Sequence, residues 1–148
     1  MGIWFKETTV KALNKFAEHT MSNHVGIEIT EIGDDYLKAR MPVDDRTRMQ
    51  RGILHGGASC VLAETIGSVA SFLCIDLEKY VAAGLEINAN HLRGISEGYV
   101  TATARPIHIG RTTHVWDIRI EAEETKKMIC ISRLTVAIIE KSMPHSSE

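Results

Sequence analysis

The 148-residue chain is long enough to bury a core within one domain, and its 44% hydrophobic and 24% charged residues are those of an ordinary globular protein. A formal charge of −2 supplies no electrostatic drive toward nucleic acid or an anionic membrane, and no partner of either kind is expected. The three cysteines, Cys60, Cys74 and Cys130, are odd in number and far apart. They show neither CxxC nor His/Cys zinc spacing, so neither a disulfide framework nor a structural metal is expected.

The amino terminus, MGIWFKETTVKALNKF, carries charges throughout and has no long apolar run, so it does not read as a secretory leader. Gly2 is followed by Lys6 where a myristoylation motif needs Ser or Thr. No charge-free apolar stretch of bilayer-spanning length is found, and a cytoplasmic protein is expected. Over residues 7–19, Val10, Leu13, Phe16 and Ala17 recur at helical spacing, with Lys11, Lys15 and Glu18 elsewhere; this predicts a short amphipathic helix. Ile27, Ile29 and Glu31 alternate with Glu28 and Thr30, and Gly33-Asp34-Asp35 turns the chain into a second strand, Tyr36–Met41. A polar loop follows from Pro42 to Arg51.

Residues 57–75, GASCVLAETIGSVASFLCI, are rich in small side chains and lack Lys and Arg. Leu62, Ile66, Val69 and Leu73 define one strongly apolar face, which predicts a largely buried helix. Four strand patterns come next: Tyr80–Leu92, then Tyr99–His108 after the Ser96-Glu97-Gly98 turn, then Thr113–Glu121 after Gly110, and finally 128–139. Thr113–Glu121 has one wet face, whereas 128–139 is apolar on both faces, as a central strand should be. The order predicts an α+β chain, an antiparallel sheet curled around one central helix, as a single domain over 1–141 with a disordered tail at 142–148. A six-stranded sheet leaves edges to be covered, so dimerisation is expected.

The chemistry concentrates in Gly52-Ile53-Leu54-His55-Gly56-Gly57-Ala58-Ser59, which runs into the helix that holds Glu64. Glycines at a helix entrance leave backbone N–H groups open, aligned with the helix dipole, where an oxyanion could form; Gly56 is the best placed. Glu64 stands about two turns further on, and is the only charged residue between Arg51 and Asp76. Ser68 and Ser71 share its face, Ser68 within reach of the carboxylate or a water, and Gly67 leaves room beside it. Two readings of Glu64 stay open: a catalytic carboxylate, or a structural ion pair with Arg93 or Arg133. His55 is equally a catalytic candidate or a helix-start residue with a structural hydrogen bond. Ser59 does not complete GxSxG, Cys60 has no partner base placed by sequence, and the seven histidines show no metal-binding spacing.

The run HGGAS-x4-E, with MPVD, AETIGSVA, EINANH, PIHIGR…VW and SRLT in order, resembles the hot-dog-fold thioesterases over about Ala12 to Ile139. The likeness is to the branch of the phenylacetic-acid-pathway, Glu-type 4-hydroxybenzoyl-CoA and 1,4-dihydroxy-2-naphthoyl-CoA thioesterases. The resemblance implies hydrolysis of an acyl-CoA, aryl-CoA by preference, with no cofactor beyond the coenzyme A of the substrate. It assigns Glu64 as nucleophile or general base, Gly56 as the N–H that polarises the thioester carbonyl, His55 as the histidine beside it, and Ser68 as the hydroxyl that positions carboxylate or water. It places coenzyme A along a subunit interface, near His91, Arg93, Gly110, Arg111 and Thr112, with Arg133 less strongly marked. It also implies a homo-oligomer, a dimer or a dimer of dimers (homotetramer), with the site between subunits.

One departure stands out. Relatives usually carry Gln six residues before the His; here Met49 occupies that position and Gln50 follows, so a loop shifted by one residue would present Gln50 instead. A non-catalytic acyl-CoA-binding protein on the same fold is the competing reading, and Met49 is its only support. A dehydratase is disfavoured, because His and Glu lie on the thioesterase pattern.

Overall fold

Strand pairing, rather than the helices, organises the molecule. The structure, a computed structural model, describes residues 2–142; apart from Ser142, the expected tail lies outside the described residues. The elements are α1 (Val10–Phe16), α2 (Met21–His24), β1 (Glu28–Ile32), β2 (Leu37–Pro42), α3 (Gly56–Leu73), β3 (Tyr80–His91), β4 (Tyr99–Ile109), β5 (Thr113–Ala122) and β6 (Met128–Glu140). The six strands form one antiparallel sheet in the order β1-β2-β4-β5-β6-β3, with α3 packed across its inner face.

The expected elements are present, with differences at their ends. The amino-terminal helix is shorter than 7–19: Thr9 caps α1 through its hydroxyl, and the chain turns out of the helix at Ala17 and His19, where φ reaches 64°. Thr20 then starts the extra four-residue helix α2. β6 lies between β5 and β3, as expected of a central strand, but only one of its faces is buried: Cys130, Ser132, Leu134, Val136 and Ile138 point to the core, whereas Arg133 and Ile139 on the other face are exposed. β3 is an edge strand of twelve residues with Val81 and Leu85 exposed, a feature its pattern alone does not show.

By length and hydropathy, 18 residues at a mean of 1.3, α3 could cross a membrane, but it is the core helix of the sheet. Leu62, Ala63, Ile66 and Ala70 are completely buried under it, together with Leu37, Met41, Trp116, Ile118, Ile120 and Leu134 of the strands. The helix is less buried than its composition predicts, because Val69, Phe72 and Leu73 face a cavity instead of the sheet.

Gly67 lies on the sheet side, so it does not open space beside Glu64 as its spacing had suggested. A Cβ there would come within 2.6 Å of Leu134 Cδ2 and 3.0 Å of Ile118 Cδ1. Gly67 therefore sets how closely α3 approaches β5 and β6. Gly67→Ala is expected to destabilise the protein by about 1–3 kcal/mol through overpacking, despite the better helix propensity of Ala, read as a lower midpoint in urea.

Candidate active site at the start of the central helix

The first turn of α3 leaves one donor unused. His55 is the N-cap, extended at φ −67° and ψ 130°, and its Nδ1 accepts a 2.8 Å hydrogen bond from the Gly57 N–H. Its carbonyl accepts from Ala58 at 2.9 Å and Ser59 at 3.3 Å. Among the described residues the Gly56 N–H has no acceptor. Because Nδ1 accepts, neutral His55 carries its proton on Nε2 and can donate only from there. His55 thus has the helix-start role read from its position, and its Nε2–H has no acceptor among the described residues. The ring of His91, at the end of β3, stands over Gly56: a Cβ there would lie 3.0 Å from His91 Nε2.

Glu64 projects toward the edge strand. Its Oε1 lies where a Cβ on Gly84 of β3 would be only 2.6 Å away. Among the described residues it makes no hydrogen bond and no ion pair, so the structural pairs considered with Arg93 and Arg133 are not formed. The carboxylate is half-buried in the single chain, more open than an apolar helix led one to expect. Ser68 sits one turn on, at the border of a cavity, without a hydrogen bond to Glu64.

That cavity, about 510 Å³, lies between α1, β1 and α3. Leu13, Ile29, Val69 and Phe72 give it an apolar wall, and Phe16 closes over Phe72 with ring centroids 6.1 Å apart. Asn14 ties α1 to the sheet edge, donating to the Ile29 carbonyl at 2.9 Å and accepting from the Ile29 N–H at 2.8 Å.

Met49 and Gln50 share an open depression with Asp45, Arg48, Gly52 and His55. The Gly52 N–H closes a turn onto the Met49 carbonyl at 2.9 Å, with Gly52 in the left-handed region at φ 82°. Gln50 is on the exposed tip of that turn, while Met49 holds the half-buried position.

The positively charged candidates do not converge within one chain. His91 pairs with Cys130, and the exposed Arg93 follows it at the same end of the sheet. Gly110, Arg111 and Thr112 form the β4–β5 turn at the other end, where the Thr112 carbonyl accepts from Ile138, the partner of Ala82. Nine residues of extended strand separate Ala82 from His91, roughly 30 Å. Arg133 is exposed on β6, between Asn88 and Asp117.

Ser71, two turns beyond Glu64, has a different employment. It accepts from Trp116 Nε1 at 2.7 Å and lies 3.1 Å from His114 Nδ1, all three buried. Burial, and then the nearby His108, hold the His114 imidazole below its ordinary range, against a backbone hydrogen bond at Gly110. The unfolded chain therefore takes up this proton first as pH falls, and stability drops on acidification below about 6.5. His114→Gln should flatten the decline of thermal midpoint between pH 7 and 5.

All three cysteines are free; burial pushes the Cys74 thiol up to about 12, and burial with Cys60 nearby pushes Cys130 up to about 11, which leaves both poor nucleophiles. Among the described residues no three His, Cys, Asp or Glu side chains gather as a metal site. The residues missed in the sequence are Gly84 and His114; a glycine interrupting the strand run VAAGLEIN was the available signal for the first, and nothing local marked the second.

A curved antiparallel sheet wrapped on one helix, with a glycine-rich helix start and an acid on that helix, is the hot-dog arrangement. The chain belongs to the thioesterase superfamily, whose profile matches residues 51–129, and it is an enzyme of the thioester-hydrolase class. It is 50% identical over 137 residues to the 1,4-dihydroxy-2-naphthoyl-CoA hydrolase of Escherichia coli K12, covering 93% of this chain and 99% of that one. The proofreading thioesterase EntH of Cronobacter turicensis is 44% identical over 137 residues, with 93% and 98% covered. A crystal structure of thioesterase PA1618 from Pseudomonas aeruginosa, carrying a glutamine-to-alanine substitution, superposes with a TM-score of 0.92 at 48% identity, covering 95% of this chain and all of that one.

Proposed function

We propose that the protein hydrolyses acyl-CoA thioesters to a carboxylic acid and CoA at a site shared by two copies of the chain. One observation carries the reading: α3 presents two unused groups, the Gly56 N–H and the Glu64 carboxylate, both without a partner among the described residues. Eight residues of helix separate them by about 12 Å, too far for both to act on one carbonyl. Antiparallel pairing of two β3 edges centred between Ile87 and Asn88 sets His91 of one copy opposite Gly84 of the other, and so carries the His91–Gly56 end of one copy to the Glu64–Gly84 region of the next. Such pairing also brings His91 and Arg93 of one copy near Gly110, Arg111 and Thr112 of the next, where guanidinium groups suit the phosphates of coenzyme A.

In this arrangement the thioester oxygen accepts from the Gly56 N–H, which steadies the negative charge that develops there. Glu64 of the other copy either attacks the carbonyl carbon, expelling CoA thiolate as the C–S bond breaks and leaving an anhydride that water then hydrolyses, or takes a proton from a water that attacks instead, after which the same C–S bond breaks and CoA leaves. Ser68 stands one turn away to hold that water, and Gln50 offers an amide beside His55. The acyl group enters the cavity at its Ser68–Ala82 corner, next to Glu64. Its aromatic and aliphatic wall fits an aryl group, the class named for the Escherichia coli relative, and its volume is ordinary for a small-molecule pocket.

The test is release of free CoA thiol from aromatic and aliphatic acyl-CoA esters by the wild type and by Glu64→Gln. Turnover of aryl esters that Glu64→Gln abolishes is expected. Tight binding of every ester with turnover of none would make the chain a non-catalytic acyl-CoA-binding protein, and full turnover by Glu64→Gln would remove the carboxylate from the mechanism.

A further inference from the structure

We infer that Gly84 is a positioning residue for Glu64, a gap in the edge strand in which the carboxylate is seated. The inference rests on the catalytic reading of Glu64 and deepens it. Glycine inside a strand weakens it, so its presence calls for a reason. Three ordinary reasons fail here. The backbone does not demand glycine, since Gly84 is not among the residues with positive φ. The register shift that follows, between Gly84 and Glu86, places the extra residue at Leu85, and a bulge of the kind that requires glycine needs a left-handed conformation. Nor does core packing exclude a side chain, because Gly84 is exposed in the single chain.

Apart from its chain neighbours, what a Cβ would meet within 4 Å among the described residues is Glu64: Oε1 at 2.6 Å and Cδ at 3.7 Å. The space of the missing side chain is therefore occupied by the carboxylate. Glu64 has no hydrogen bond or ion pair among the described residues, and the rotamer it adopts is one that a side chain at position 84 would obstruct. A methyl group there would swing the carboxylate away from β3 while leaving the helix, the cavity and the Gly56 N–H in place.

The test is a double-mutant cycle with Gly84→Ala and Glu64→Gln, following kcat, KM and thermal midpoint. Gly84→Ala alone is expected to lower kcat on the order of 10–100-fold, the usual cost of a carboxylate misplaced by about an ångström, with KM within about twofold. In the Glu64→Gln background the same substitution should leave the remaining kcat within about twofold, because the group it displaces no longer acts. If Gly84→Ala is poorly folded, the thermal midpoint is compared in Glu64→Ala, where the obstructing side chain is gone and the added methyl group should be accepted. An unchanged kcat in Gly84→Ala, an equal loss in both backgrounds, or an equal fall in midpoint with and without Glu64 would each overturn the inference. Failure of the catalytic reading shows separately, as full activity in Glu64→Gln alone.

Discussion

Replacing Glu64 by glutamine should lower kcat by about 10²–10⁴-fold, the range for loss of a positioned base or carboxylate nucleophile. The substitution keeps the size of the side chain and its place over Gly84, and removes only the charge and basicity. Because Glu64 has no hydrogen bond or ion pair among the described residues, no partner is left stranded. The thermal midpoint should therefore hold, with any change in stability within about 0.5 kcal/mol, because no cavity is opened and no partner loses its bond. KM should change little if, as proposed, the acyl group and coenzyme A carry the binding. A loss of stability as large as the loss of activity would instead mark Glu64 as a structural residue.

Gly56→Pro is expected to cost about 10²–10³-fold in kcat, because it deletes the first-turn N–H that has no acceptor among the described residues and leaves the helix intact. Proline is tolerated at the first helical position, where no intrahelical bond is lost. It also demands an extended residue before it, and His55 at ψ 130° already is one. The ring would crowd His91, so Gly56→Ala is the control: it adds a Cβ at the same 3.0 Å from the imidazole but keeps the donor. Steady-state kinetics on a single aryl ester should place most of the loss in Gly56→Pro alone. Equal loss in both variants would assign the effect to His91 and take the oxyanion role from the N–H.

The two predictions draw on different kinds of information. The positions of Gly56 and Glu64 on one helix were legible in the sequence, because a glycine-rich entrance and a lone acid in an apolar run are local patterns. That the Gly56 N–H is the free donor was not: it depends on the His55 ring turning back onto Gly57, a rotamer that no spacing reports. The same holds for Ser71. Its helical phase matches that of Glu64, yet two turns of advance carry it to β5, where it meets His114 and Trp116.

By itself the sequence determined the two-layer architecture, the central helix and the run of strands, and it marked the segment proposed for the chemistry. Period-2 and period-3.6 burial patterns, turn residues and caps are properties of neighbouring residues, and survive without knowledge of what lies opposite. Only the tertiary structure decided that β3 is an open edge, that the Glu64 carboxylate occupies the gap at Gly84, that Gly67 faces the sheet, and that Arg93 and Arg111 stand at opposite ends of it. Those facts come from strand order and register, set by which apolar faces pack together across long stretches of chain, and a shift of one residue would turn each strand's side chains to the opposite face.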